Sequence, residues 1–150
     1  MKEAQLQVFL EGVQQYFNHV ASEEIFVGTP YLVENAMPAA QQYSGVIAIS
    51  GYAQGIVYFT SPKELAQRLL TLMGEKDTSE ENIIDIIGEV SNTIAGNARR
   101  VLGETLQISV PIVIRGEPDE IMLPRRDRSF VIPIEWGRYD AAIVIALQKS

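Results

Sequence analysis

The chain has 150 residues, 47% apolar and 21% charged, which suits one globular domain over residues 1–150 with ample material for a packed core. It contains no cysteine, so disulfides and thiolate metal sites are excluded. A net charge of −7 argues against nucleic acid, whose phosphates require a basic surface.

The N-terminal "MKEAQLQVFL" lacks the pattern of a signal peptide. The longest apolar run, "AAIVIAL" (141–147), is too short to span a bilayer, so the expectation is a cytoplasmic protein with no membrane contact. The small basic cluster "RRDR" (125–128) reads as a solvated turn.

In chain order, the first element is a helix over residues 3–20. Leu6, Phe9, Leu10, Val13, Phe17 and Val20 recur at steps of three and four and mark one buried face. "GTPYLVENAM" carries a turn signal and then a short strand, followed by a loop through Pro38 and Gln41–Gln42. In residues 43–61 two β-type runs, Val46–Ser50 and Gly55–Thr60, flank "GYAQ" and form a hairpin. "SPKE" (61–64) then opens a helix, with Ser61 as cap, Pro62 at the first helical position and Glu64 completing a capping box. Leu65, Leu69, Leu72 and Met73 give its inner stripe, and Gly74 its stop.

Thr78 and Glu81 form a second capping-box pattern. From there a helix of about 24 residues runs to Leu102, with Gly103 as its stop, well beyond the usual ~11–12. The rest reads as strands: "LQISVPIVIRG" (106–116), a turn at "EPD", a short "EIMLP", then "SFVIPIEW" (129–136) and "AAIVIALQ" (141–148) paired across "GRYD". Pro111 and Pro133 belong at an edge, a bulge or a strand end. Segregated helices and strands of this kind predict an α+β fold, with helices packed on a mainly antiparallel sheet.

The long helix carries the chemistry. With each residue turning about 100°, Asp85, Glu89, Asn92 and Gly96 fall on one narrow stripe, opposite Ile83, Ile87, Val90, Ile94, Ala98 and Val101. Polar stripes on amphipathic helices are by default solvated surface, but this one departs from that default. It lacks the Lys and Arg that pair with carboxylates at i,i+4, and it places Asn92, a poor helix former, in the interior. Gly88 and Gly96 also sit in mid-helix, where Gly costs ~1 kcal/mol against Ala but allows another backbone to approach.

A carboxamide donates from one end and accepts at the other, so it can orient a water without ionising. Phosphoryl transfer gains most from such positioning. A carboxylate repels phosphate, so Glu89 is expected to meet a cation. The chain has no cluster suited to Mg²⁺, so metal and phosphate are expected from a partner. One histidine, His19, and no cysteine argue against a triad or a His-based metal site. "GYAQG" is no phosphate loop, and Trp136 reads as a packing residue.

"DIIGEVSNTIAG" (85–96) resembles the D/S-x3-E-x2-N signature of the CheC/CheX/FliY chemotaxis phosphatases. "ISGYAQGIVYFTSPKELAQRLLTLMGE" resembles the segment before that signature in CheX, and "ISVPIVIRG" the strand after it, so the likeness covers residues 43–148. The resemblance implies a CheC/CheX-like fold and hydrolysis of the phosphoaspartate of a CheY-like response regulator. It implies that Glu89 salt-bridges the regulator's active-site lysine and that Asn92 orients the hydrolytic water, the two catalytic candidates.

Asp85, Gly88 and Gly96 would support partner binding. The chain would hold no cofactor, with Mg²⁺ supplied by the receiver domain. Pro111 is the candidate for the signature's downstream proline, though it lies somewhat closer to Asn92 than the family pattern. The first helix, "VFLEGVQQYFNHVA", has no E-x-x-N, so a single site fits CheX better than the two-site CheC. CheX-type proteins resemble homodimers joined through their sheets, and the strand-rich C-terminal third offers an edge. The competing reading is a non-catalytic CheX-like module that docks a response regulator or a flagellar motor component.

Overall fold

The structure is a computed structural model that describes residues 3–34, 41–51, 53–115 and 128–149. The expected turn at 117–119 and strand at 120–124, and the first three residues of the basic cluster, lie outside these residues. Among the described residues are three helices, α1 (Glu3–Ala21), α2 (Lys63–Leu72) and α3 (Glu80–Leu102). The strands are β1 (Phe26–Val27), β2 (Tyr31–Glu34), β3 (Tyr43–Gly51), β4 (Ala53–Ser61), β5 (Leu106–Ile108), β6 (Ile112–Arg115), β7 (Arg128–Trp136) and β8 (Tyr139–Lys149). All pairings are antiparallel, in the order β1-β7-β8-β4-β3-β5, with β2 also on β7 and β6 also on β3. The expected α+β architecture is the observed one.

Side chains alternate across the strands, so one face of the sheet carries Val57, Phe59, Ile132, Ile134, Ile143 and Ile145 into the core shared with the helices. The alternate residues Tyr58, Val131 and Val144 lie in one row across β4, β8 and β7 and cluster with Ala142 on the other face. Trp136 is buried, its ring 5.0 Å from that of Phe17, and its indole N–H donates to Glu23 Oε2 at 2.7 Å. It is a packing residue, as expected.

Several local expectations shift. The helix after "SPKE" begins one residue late: Pro62 is the N-cap and makes no side-chain cap bond. Ser61 is instead the buried last residue of β4, and its hydroxyl donates to the Pro62 carbonyl. The buried face of α2 is Leu65, Ala66, Leu69 and Leu70, while Leu72 and Met73 are exposed where the helix leaves the core. Gly74 is the stop as predicted. At φ +83° it lets its own N–H reach Thr71 O, and Glu75 N–H reach Leu70 O, which is a Schellman motif.

The hairpin strands reach further than expected, to Gly51 and from Ala53. The single strand expected over 106–116 is two, β5 and β6, broken at Ser109–Pro111, so Pro111 sits between strand ends. Pro133 lies inside β7, opposite the gap between β1 and β2. There the register slips by one residue, and its carbonyl accepts from Gly28 N–H.

Candidate active site on the central helix

The framework of α3 is fixed at both ends. At its start the cap is Ser79 rather than Thr78, with no side-chain cap bond. The Thr78–Glu81 box does not form because Asp77 does the work instead, accepting Ser79 N–H at 3.0 Å and Asn82 Nδ2 on its carbonyl at 2.8 Å. Glu80 in the first turn accepts from Arg115 of β6 at 2.5 Å and from the Tyr43 hydroxyl of β3 at 3.2 Å. At the other end Arg99 donates to the carbonyls of Ile108 and Ser109, which ties the strand break before Pro111 to the helix. Acids in the first turn and arginines in the last also suit the helix dipole.

Between these anchors the buried face is Ile83, Ile87, Val90, Ile94 and Ala98, as predicted. Val101 is not part of it. It is exposed in the last turn, beside the exposed Gly103 and Glu104. Two polar residues hidden from sequence reasoning help hold α3. The Asn97 amide is buried, donates to Val8 O of α1 at 2.8 Å, and accepts from Gln15 and Arg100. Buried Ser91 donates to Ile87 O at 2.8 Å and presses on β3 at Gly45, where a Cβ would lie 2.7 Å from the Ser91 Cβ. A polar residue on the apolar arc of a helical wheel was the only hint of either.

Asp85, Glu89, Asn92 and Gly96 are all exposed and share one face, so the structure brings together the four residues the projection aligned. Among the described residues, none makes a hydrogen bond to the side chains of Asp85, Glu89 or Asn92. The two glycines differ. A Cβ on Gly88 would touch only Val113 Cγ2 at an ordinary 3.6 Å, and one on Gly96 would meet nothing within 4 Å. Among the described residues, packing requires neither glycine. Close helix approach is instead served by Gly12 of α1, where a Cβ would lie 2.7 Å from Ile94 Cα.

Two hollows lie beside the stripe. Where the end of α2 meets α3, a cleft of about 230 Å³ is lined by Asp85 and Glu89 together with Glu75, Asn82, Leu70 and Met73. Three carboxylates at its mouth make it attractive to a cationic side chain. On the α1 side a groove of about 580 Å³ runs past Gln15, Tyr16, Asn18, His19, Val20 and Thr93. His19 is exposed on it.

Tyr16 is 3% exposed, and its hydroxyl has no hydrogen-bond partner, a state that costs about 1–3 kcal/mol. Burial first, and the negative charge of Glu89 second, push this hydroxyl well above the usual phenol range. Among the described residues no group of three or more His, Asp or Glu is arranged to hold a metal ion, and no helix is long and apolar enough to cross a membrane.

The fold is that of the CheC/CheX-like chemotaxis proteins. The structure resembles a CheC-like superfamily protein from Shewanella sp. PV-4 at a TM-score of 0.83, with 24% identity over 99% of both chains. It also resembles the chemotaxis protein CheX from Vibrio vulnificus at 0.77, with 24% identity over 97% of this chain and 99% of that one. The CheX of a Borrelia burgdorferi CheX–CheY–BeF3–Mg²⁺ complex matches at 0.73, with 19% identity over 97% and 98%. No curated protein matches the sequence. Residues 43–135 match the family of the chemotaxis phosphatase CheX, and the chain belongs to that family.

Proposed function

We propose that the chain dephosphorylates a CheY-like response regulator, with Glu89 and Asn92 as the catalytic residues. Glu89 forms a salt bridge with the regulator's active-site lysine. The Asn92 amide enters the phosphorylation site and orients a water in line with the phosphorus. Positioning of this kind is the main lever on phosphoryl transfer. The phosphoaspartate and Mg²⁺ come from the receiver domain, and this chain holds no cofactor. Asp85 and the uncovered backbone at Gly88 and Gly96 support docking. Such a chain works in the cytoplasm, beside its regulator.

The observation that carries this reading is that Glu89 and Asn92 stand side by side, exposed and without hydrogen-bond partners among the described residues, while the buried polar residues Ser91 and Asn97 of the same helix are engaged. Membership of the CheX family supports it, and so does the CheY-bound state of the Borrelia relative. The family's pairing into homodimers extends the proposal. Beside β3, the strand break between β5 and β6 leaves Val110 75% and Ile112 68% exposed, an apolar edge fit for a second copy.

The test is the decay of phosphorylated CheY with the wild-type chain, Asn92→Ala and Glu89→Lys. Asn92→Ala is expected to abolish the acceleration and keep much of the binding, while Glu89→Lys weakens docking by charge reversal. A wild-type chain that binds the regulator but leaves the decay rate unchanged is a docking module, and the enzymatic reading fails.

A further inference from the structure

Among the described residues, the Tyr16 hydroxyl alone is a buried side-chain polar atom without a hydrogen-bond partner. Its place in the fold puts it beside the stripe. Asn97 of α3 reaches Val8 of α1, and Gly12, one turn further along α1, faces Ile94. The two helices therefore run antiparallel, and the next turn of α1 brings Tyr16 level with Val90 and Glu89. The two groups are close enough for the charge of Glu89 to act on the hydroxyl.

Other donors nearby are committed or face solvent. The Thr93 hydroxyl donates to the Glu89 backbone carbonyl at 3.1 Å, Gln15 donates to Asn97, and His19 is exposed.

We infer that Tyr16 is a positioning residue whose hydroxyl donates to the Glu89 carboxylate, holding one of its oxygens while the other faces the partner's cation. The inference rests on the phosphatase reading for its role in docking. A carboxylate accepts at about four lone-pair sites, and in the free chain water fills those of the exposed Glu89. Docking strips that water away, and Tyr16 is the unused donor at hand. Its hydroxyl is already dehydrated in the folded chain, so a bond to the carboxylate is formed at no further cost in its own hydration.

Tyr16→Phe keeps the ring and its packing, so a tyrosine with only a structural role predicts a neutral or stabilised variant. Our expectation is different. In the complex with the regulator at neutral pH, Tyr16→Phe moves the carbon-13 resonance of the Glu89 carboxyl and leaves that of Asp85 in place. In the decay assay it raises the concentration for half-maximal acceleration about tenfold, the size of one hydrogen bond to a charged group. The maximal rate stays within about twofold, the thermal midpoint does not fall, and the effect disappears in a Glu89→Ala background.

An unmoved Glu89 resonance, or an equal effect of Tyr16→Phe with and without Glu89, overturns the inference. A wild-type chain that binds the regulator but fails to accelerate decay overturns the phosphatase reading instead, and the resonance in the complex then decides the Tyr16–Glu89 bond by itself.

Discussion

Gly96→Ala separates what the central helix needs for folding from the docking proposed for its exposed stripe. A Cβ at Gly96 would meet nothing within 4 Å, and the residue is exposed in mid-helix. Alanine there gains about 0.8–1.0 kcal/mol of helix propensity with nothing in the fold to oppose it. For a chain of this size that raises the thermal midpoint by about 2–4 °C.

Gly12→Ala makes the same change where the fold does oppose it. Its Cβ would lie 2.7 Å from Ile94 Cα, a backbone atom that cannot rotate away, so α1 and α3 must part. Overpacking of that kind costs about 1–3 kcal/mol, which outweighs the propensity gain and leaves a net loss of about 1 kcal/mol. If the open stripe admits a partner's backbone, the methyl that is harmless in the free Gly96→Ala chain collides in the complex. A penalty of about 1.4 kcal/mol is a tenfold rise in the half-saturating concentration. Thermal unfolding and the concentration dependence of phosphorylated-CheY decay read the two effects separately. A Gly96→Ala chain that is stabilised and docks as well as wild type refutes the idea that this glycine is kept bare for a partner, and one with a lowered midpoint refutes the open geometry itself.

Three further outcomes follow from the buried polar groups. Asn97→Ala removes the amide shared by Val8, Gln15 and Arg100, and is expected to cost about 1–2 kcal/mol in denaturant unfolding despite alanine's better helix propensity. Glu23→Ala leaves the indole N–H of the one tryptophan without its acceptor. The thermal midpoint should fall, and the Trp136 emission, a unique reporter in this chain, should shift. Burial raises the hydroxyl pKa of Tyr16, Tyr58 and Tyr43, with hydrogen bonding to Glu80 adding to the last. The unfolded chain then loses these protons first, near pH 10. Stability is therefore full below that pH and falls above it, by up to about 1.4 kcal/mol per pH unit for each group. Circular dichroism along an alkaline titration should show steep unfolding that becomes shallower by about one proton in Tyr58→Phe.

What the sequence made legible is what depends on local periodicity. The 3.6-residue pattern placed Ile83, Ile87, Val90, Ile94 and Ala98 inward and Asp85, Glu89, Asn92 and Gly96 outward, and the structure agrees. Turn chemistry likewise placed the stop at Gly74. What failed depends on neighbours in space. Ser61 has the chemistry of a cap, but β4 claims it as a buried end residue. Asp77, outside either capping-box pattern, organises the start of α3 because the loop before the helix folds back on it. β1 is two residues long, too short for any period to show, and exists because β7 offers it an edge. Asn97 acts through a hydrogen bond across the α1–α3 seam, and Tyr16 is buried at the same seam, which no window along the chain contains. The stripe itself was visible as an anomaly of composition, and only the family resemblance gave it a chemical role.

The cost of that stripe explains why it sits on α3 and not on α2. Gly88, Asn92 and Gly96 together forfeit about 2–3 kcal/mol of helix propensity relative to alanine. A short helix held by few contacts would fray under that load, because isolated helices of such length are marginal in water. α2, with ten residues and one buried face, is of that kind. α3 has 23 residues and is packed against α1, α2 and β3, and its fully buried isoleucines and valine each contribute about 1.5–3 kcal/mol. That surplus lets three poor helix formers stand in mid-helix with no internal partner. It follows that replacing Gly96 and Asn92 together with alanine should give a more stable chain which, on the proposed function, no longer accelerates the decay of phosphorylated CheY.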